Sequence, residues 1–214
     1  MRLTVFGATG RTGCHVVTQA LAAGHEVVAF VRSRDKLAGQ QDLANERLRV
    51  VVGDVRDDGP VEQAVAGADA VLSCIAPVPK DGAVQTEGTR NIARAMATHG
   101  VQRVVSVTGA GVDAPGDPPR AFAGKVIRGI MQVVASKILA DAEAHAEVLR
   151  QSDLDYAIVR APRLTDDSHT GRYRHGLLQL GFGDQIARAD VATFMIAEAT
   201  GGTYHRAEPH VTAA

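Results

Sequence analysis

Two cysteines in 214 residues, Cys14 and Cys74, are too few for a disulfide framework or a thiolate metal site, and each falls within an apolar pattern that suits a reduced, buried thiol. The eight histidines are scattered, and neither His169 nor His175 has ligand spacing, so no metal is expected. Charge of one sign is lacking too. Lys+Arg 23 against Asp+Glu 24 leaves a net charge of -1, without the global basic field that drives nonspecific nucleic-acid binding. No apolar run approaches the ~18 residues of a membrane span, so a membrane partner is not expected. The first strand pattern begins at residue 2, which leaves no room for a signal peptide and makes the cytoplasm the expected location. Repeats and low-complexity tracts are missing, and residues 1–214 read as one domain. No exposed stripe argues for a firm dimer, so the expectation is a monomer or weak dimer.

What is there starts at the N-terminus. The apolar strand Leu3-Thr4-Val5-Phe6 runs into Gly7-Ala8-Thr9-Gly10-Arg11-Thr12-Gly13, which opens a helix-like stretch ending at Gly24. A strand delivering into a glycine turn lets backbone approach a pyrophosphate, while the first helical N–H groups and the positive end of the helix dipole face its charge. The spacing is Gly-x-x-Gly-x-x-Gly. Gly7, Thr9, Gly10, Arg11, Thr12 and Gly13 are therefore candidate cofactor-binding residues.

Beyond the loop, short β-branched runs alternate with alanine-rich stretches. That alternation predicts an α/β fold: a Rossmann-type doubly wound parallel sheet with helices on both faces and a short C-terminal substrate-side segment. Strands are expected at 2–6, 26–31, 48–52, 70–75, 103–107 and 155–160. Helices are expected near 12–23, 60–66, 84–99 and 133–151, with a last one from Ala189 or Asp190 to Ala199. Residues 113–119 and most of 161–185 read as loop, the latter as the substrate-side region.

The end of the second strand decides the nicotinamide cofactor, because an acid there binds a ribose 2′-hydroxyl and repels a 2′-phosphate. This chain has Arg32 at that place, followed by Arg34 and Lys36, with Asp35 the one dissenting charge. Guanidinium suits bidentate contact with phosphate, so NADP(H) is favoured. Asp54 and Val55, after the third strand, fall where adenine would lie, although Gly53-Asp54 also makes an ordinary turn. Cys74-Ile75-Ala76-Pro77 would pass beneath the pyrophosphate and nicotinamide ribose. Ile75, Ala76 and Pro77 join the candidates there.

Taken together, Phe6-Gly7-Ala8-Thr9-Gly10, Val31-Arg32, Val51-Val52-Gly53-Asp54-Val55, Glu87-Gly88-Thr89-Arg90-Asn91-Ile92, Val148-Leu149-Arg150-Gln151-Ser152, Thr170-Gly171-Arg172-Tyr173 and Asp190-Val191-Ala192-Thr193-Phe194-Met195 resemble the NmrA-like branch of the atypical short-chain dehydrogenase/reductases, in particular its flavin and biliverdin reductases. The likeness covers nearly the whole chain. It implies NADPH-dependent hydride transfer to flavins or linear tetrapyrroles, with cofactor contacts at Gly7, Thr9, Gly10, Arg11, Thr12, Arg32, Lys36, Asp54, Val55, Ile75, Thr108, Pro162 and Leu164. Two departures touch the substrate: Gly109 stands where those reductases carry serine after the fifth strand, and Arg163 where they carry histidine.

Most short-chain reductases use a Tyr-x-x-x-Lys pair on one helix, the lysine lowering the phenol pKa. Tyr156, Tyr173 and Tyr204 each lack a lysine four residues on. Lys137 reads as a helix-surface residue and Tyr156 as core. Without a positioned acid, an alkoxide has no partner. A conjugated acceptor (flavin, tetrapyrrole or quinone) delocalises the added charge and takes its proton from water, leaving the protein to hold two planes together. Ser106, Thr108 and Arg163 are the candidates beside that reaction, with Arg172, Tyr173 and Arg174 as possible roof residues. A noncatalytic NADP(H) redox sensor and a sugar-nucleotide epimerase or dehydratase stay open as alternatives.

Overall fold

The computed structural model describes residues 1–41, 43–77, 82–119, 129 and 135–214. Six parallel strands follow the β-branched runs: β1 (Arg2–Phe6), β2 (Glu26–Val31), β3 (Leu48–Val52), β4 (Ala70–Ser73), β5 (Arg103–Gly109) and β6 (Asp155–Ala161). Between and after them come α1 (Gly13–Ala22), α2 (Arg34–Ala38), α3 (Asp58–Val65), α4 (Val84–His99), α5 (Ser136–Arg150) and α6 (Arg188–Gly201). The fourth strand stops two residues before the expected end, the fifth runs two residues further, and α6 extends past both expected ends. Residues 133 and 134, expected to start the fifth helix, lie outside the described residues.

Side chains alternate across the sheet, and the alternation builds two cores. Leu3 and Val5 of β1 face Val16, Val17 and Met195 of α1 and α6, whereas Phe6 joins Val61, Ile92 and Met96 of α3 and α4 on the opposite face. Helix ends follow local chemistry. At the end of α4, Gly100 takes φ +68, and the N–H groups of Gly100 and Val101 return to the carbonyls of Ala97 and Met96. That reverse turn needs the left-handed conformation glycine tolerates best.

With β8 (Tyr173–Gly176) and β10 (His210–Ala213) at one edge, the strand order is β3-β2-β1-β4-β5-β6-β10-β8. Connections from β1 move one way and those from β4 the other, so a crevice forms over the carboxyl ends of β1 and β4, where such sheets take their ligands. The last strands are short and were not anticipated: β7 (Arg163–Thr165) pairs with β9 (Gln185–Ala187), and β10 (His210–Ala213) carries antiparallel β8 (Tyr173–Gly176) at the sheet edge. The 161–185 stretch is therefore less of a loop than its sequence implies. Four-residue strands such as Tyr-Arg-His-Gly show no apolar alternation, so only the partner strand defines them. Asp190 supplies the anchor, accepting the N–H groups of Thr170 (2.9 Å) and Gly171 (2.8 Å) and the Thr170 hydroxyl (2.8 Å). These bonds hold its carboxyl below the usual carboxylate range even though burial pushes the other way.

Candidate functional site

The glycine loop is shaped by backbone contacts that exclude side chains. Gly7 sits at φ +74, and a Cβ there would lie 2.6 Å from the Cys74 carbonyl oxygen at the exit of β4. A Cβ on Gly13 would lie 2.1 Å from the Gly7 carbonyl oxygen, so α1 can pack this closely on the loop only with glycine at its first residue. Gly10 closes the turn by donating to Gly7 O (2.9 Å), and Cys14 N donates to Gly10 O (3.0 Å) as the helix begins.

A cleft of about 310 Å³ opens over this loop. Gly7, Thr9 and Gly10 line it together with Arg32 and Lys36 from the exit of β2, Asp54 and Val55 after β3, and Ile75 and Ala76 after β4. Nine of the sequence-selected positions thus come to one place. Phe6, Phe30, Val31, Arg56, Cys74 and Val84 complete the lining. Burial pushes the Cys74 thiol up to about 12, which makes it a packing residue and not a nucleophile.

Arg56 escaped the sequence reading. Its backbone N–H donates to Asp54 Oδ1 (2.9 Å) and its guanidinium to Glu87 Oε2 (2.9 Å). Asp54 therefore makes the ordinary turn and still lines the cleft. Helix α4 secures this loop: Asn91 Nδ2 donates to Val55 O (3.0 Å), and a Cβ on Gly88 would lie 2.8 Å from a Val55 methyl. These contacts give the Glu87-to-Ile92 motif its physical meaning, which is to hold one wall of the cleft.

Other candidates lie elsewhere. Arg34 is exposed on α2, Thr12 is buried at the start of α1, and Pro77 is half-buried beyond the lining residues. Arg11 reaches 3.7 Å from Asp166, which also accepts from Arg188 Nη1 (2.5 Å), so it leans toward the segment after β7. Pro162 is the β6–β7 link; on β7, Leu164 packs against the α1–α6 core and Arg163 is exposed. Arg172, Tyr173 and Arg174 depart from the expected roof. Arg172 leads into β8 at the sheet edge, where Arg174 pairs with Asp184 (2.8 Å) and Tyr173 packs edge-on to Phe194. Lys137 is exposed in the first turn of α5, and Tyr156 is core, with the Arg206 guanidinium 5.1 Å above its ring.

Ser106 differs from its expected role. It is buried and bonded to His145 (3.0 Å), whose other ring nitrogen meets Thr89 Oγ1 (2.7 Å). Thr89 donates its one proton to Gln85 O (2.8 Å), so His145 Nδ1 must donate to Thr89 and Nε2 must accept from Ser106. Burial drives His145 down to about 4, so it is neutral at pH 7. The unfolded chain takes up this proton near pH 6.5, the folded one only near 4. Stability is thus complete above about 6.5 and declines as pH falls toward 4, by about 3 kcal/mol in all. Urea unfolding between pH 7 and 4.5 is expected to show the wild type losing this increment relative to His145→Gln; parallel curves for the two proteins would refute it.

The model of the NAD(P)H-binding family matches residues 7–200. Among curated proteins, the 3-beta-hydroxysteroid dehydrogenase of Mycolicibacterium neoaurum is 34% identical over 117 residues, covering 49% of this chain and 31% of that protein. Uncharacterised Mycobacterium tuberculosis proteins are 35% identical over 106 residues, 49% of this chain but 12% of their own length. The chain thus spans a third or less of these relatives. Among solved structures, ChuY from Escherichia coli O157:H7, described as an anaerobilin reductase, superposes with a TM-score of 0.79 at 22% identity, over 99% of this chain and 96% of that one. A short-chain dehydrogenase/reductase from Veillonella parvula in complex with NADP gives 0.79 at 22% identity, over 98% and 93%. No helix among the described residues is long and apolar enough to cross a membrane. At such identities the structural likeness speaks for the doubly wound fold alone, and the match over most of the sequence for membership: the chain belongs to the NAD(P)H-binding family.

Proposed function

We propose that this protein is an NADPH-dependent reductase of a flavin or a similar planar, conjugated acceptor. The carrying observation is that Arg32 and Lys36 line the same cleft as Gly7, Thr9 and Gly10. Two cations beyond β2 meet a 2′-phosphate, and Arg32 stands at the sequence position where NAD-preferring folds carry the acid that holds the ribose hydroxyl. The glycine loop presents backbone to the pyrophosphate, because a side chain at Gly7 or Gly13 would strike Cys74 or Gly7. Bound NADPH supplies a hydride, two electrons with one proton. The protein's part is to hold the acceptor's plane against that donor, and the reduced acceptor collects its second proton from water. The ChuY likeness supports a tetrapyrrole or other flat acceptor by analogy of fold. The link from Pro162 to Leu164 is the proposed cover on the substrate side.

Purified protein is expected to oxidise NADPH faster when FMN, riboflavin or biliverdin is added. A panel of flavins, quinones and biliverdin without acceleration would overturn the reductase reading, and tight NADPH binding without turnover would favour the redox-sensor alternative. Arg32→Ala is expected to weaken NADPH binding by about 1.5 to 3 kcal/mol, the scale of a charged hydrogen bond, while barely changing NADH. Equal losses for both coenzymes in a calorimetric titration would remove Arg32 from the 2′-phosphate.

A further inference from the structure

The segment that carries Lys36 has little to hold it by itself. Helix α2 is five residues long, too short to persist alone in water, so contacts outside it must fix the place of the ammonium group. Leu37 supplies one anchor, fully buried in the core beneath α1. Two glutamines that follow the helix supply the others. Gln40 Nε2 donates to the Thr9 carbonyl (3.4 Å) in the glycine loop, and Gln41 Nε2 donates to the Cys14 carbonyl (3.2 Å) and to Thr18 Oγ1 (2.8 Å) on α1. Their direction is settled by Thr18. It spends its one proton on the Cys14 carbonyl (2.9 Å), so its oxygen accepts, and the amide nitrogen of Gln41 must face it.

Arg32 and Lys36 line the same cleft but are placed by different means. Arg32 follows β2 directly, so the ladders with β1 and β3 fix its backbone. Lys36 lies four residues on, in a helix outside the sheet, and its place depends on what ties α2 down. Gln41 makes the stronger of the two glutamine ties, because it is half-buried and spends both amide protons, whereas Gln40 is exposed and makes one long bond. Gln41 itself stands outside the lining residues, so its effect on a ligand passes through the groups it places. A 2′-phosphate draws on both cations, a ribose hydroxyl on neither. We infer that Gln41, bonded to Thr18 and the Cys14 carbonyl, is a positioning residue that holds Lys36 in place and so sets how far NADPH is preferred over NADH; this rests on the dinucleotide reading above.

The test is calorimetric titration of wild type, Gln41→Ala, Thr18→Val, Lys36→Met and the double variant Lys36→Met/Gln41→Ala with three probes: NADPH, NADH and adenosine 2′,5′-bisphosphate. Gln41→Ala is expected to bind NADPH and the bisphosphate about fivefold more weakly, the scale of one net hydrogen bond, and NADH as the wild type does. Thr18→Val removes the acceptor from the other side. It is expected to reproduce this selective loss, and it carries the test should Gln41→Ala fail to fold. Beside Lys36→Met, Gln41→Ala is expected to cost nothing further, since no ammonium group is left to place. A loss shared equally by NADH would mean general distortion of the glycine loop, and a loss that persists beside Lys36→Met would mean a route other than Lys36; either overturns the positioning role, as does unchanged NADPH binding, while the cleft stands. Wild type binding none of the probes would overturn the dinucleotide reading and the role of Gln41 with it.

Discussion

Gly13→Ala is expected to destabilise the fold by about 3 kcal/mol and to weaken NADPH binding as well. The new Cβ would lie 2.1 Å from the Gly7 carbonyl oxygen and 2.8 Å from its carbon, and these backbone atoms cannot rotate away. Alanine gains at most about 1 kcal/mol over glycine in a helix, so the clash wins. The displaced carbonyl belongs to the loop that faces the cleft, so stability and binding fall together. Gly10→Ala separates the two effects. Its Cβ meets only the Gly7 carbonyl oxygen at 3.1 Å, so the fold should stay within about 1 kcal/mol, while the methyl narrows the cleft that Gly10 lines. Urea unfolding and NADPH titration check the pair. A Gly13→Ala protein as stable as wild type would refute the close packing, and a Gly10→Ala protein with full affinity would refute the phosphate cradle.

Arg160→Met is expected to cost about 3 kcal/mol, the lower end of the range for breaking a buried ion pair. Arg160 is fully buried in β6 and reaches both Asp117 oxygens (2.5 and 2.6 Å), Val112 O (3.0 Å) and Glu208 O (2.8 Å). It fastens the 112–117 turn and the approach to β10 onto the sheet. Methionine strands a carboxylate and two carbonyls, but Asp117 keeps some contact with water, which limits the loss. Its carboxyl is held below the usual range by the guanidinium, so this part of the stability is present above the normal carboxylate pKa and lost as pH falls through the depressed one. The double variant Arg160→Met/Asp117→Asn is expected to recover part of the loss in urea unfolding. A double variant no more stable than the single one would show that the pair is not the source.

Apart from α2, a short helix that no expected element covered, the structure confirms the expected strands and helices among the described residues of the first 110, because each carries its own signal: a β-branched run, an alanine-rich stretch, a closing glycine. Arg56 left no trace, since an arginine two residues past a Gly-Asp turn looks solvated until Glu87 is seen beside it. Ser106 misled for the opposite reason. A hydroxyl near the end of β5 fits a cofactor contact, but the histidine that engages it lies 39 residues away on α5.

The sequence alone determined the doubly wound order of strands and helices, the glycine loop and the basic exit of β2. Each of these depends on residues close together in the chain, where steric and dipolar rules act locally. Only the tertiary structure decided which hydroxyls face the cleft, where Arg172 to Arg174 go, and that Asp190 draws the 170–171 turn into place. Those outcomes depend on which distant donors and acceptors burial forces into partnership, and spacing along a chain does not encode that.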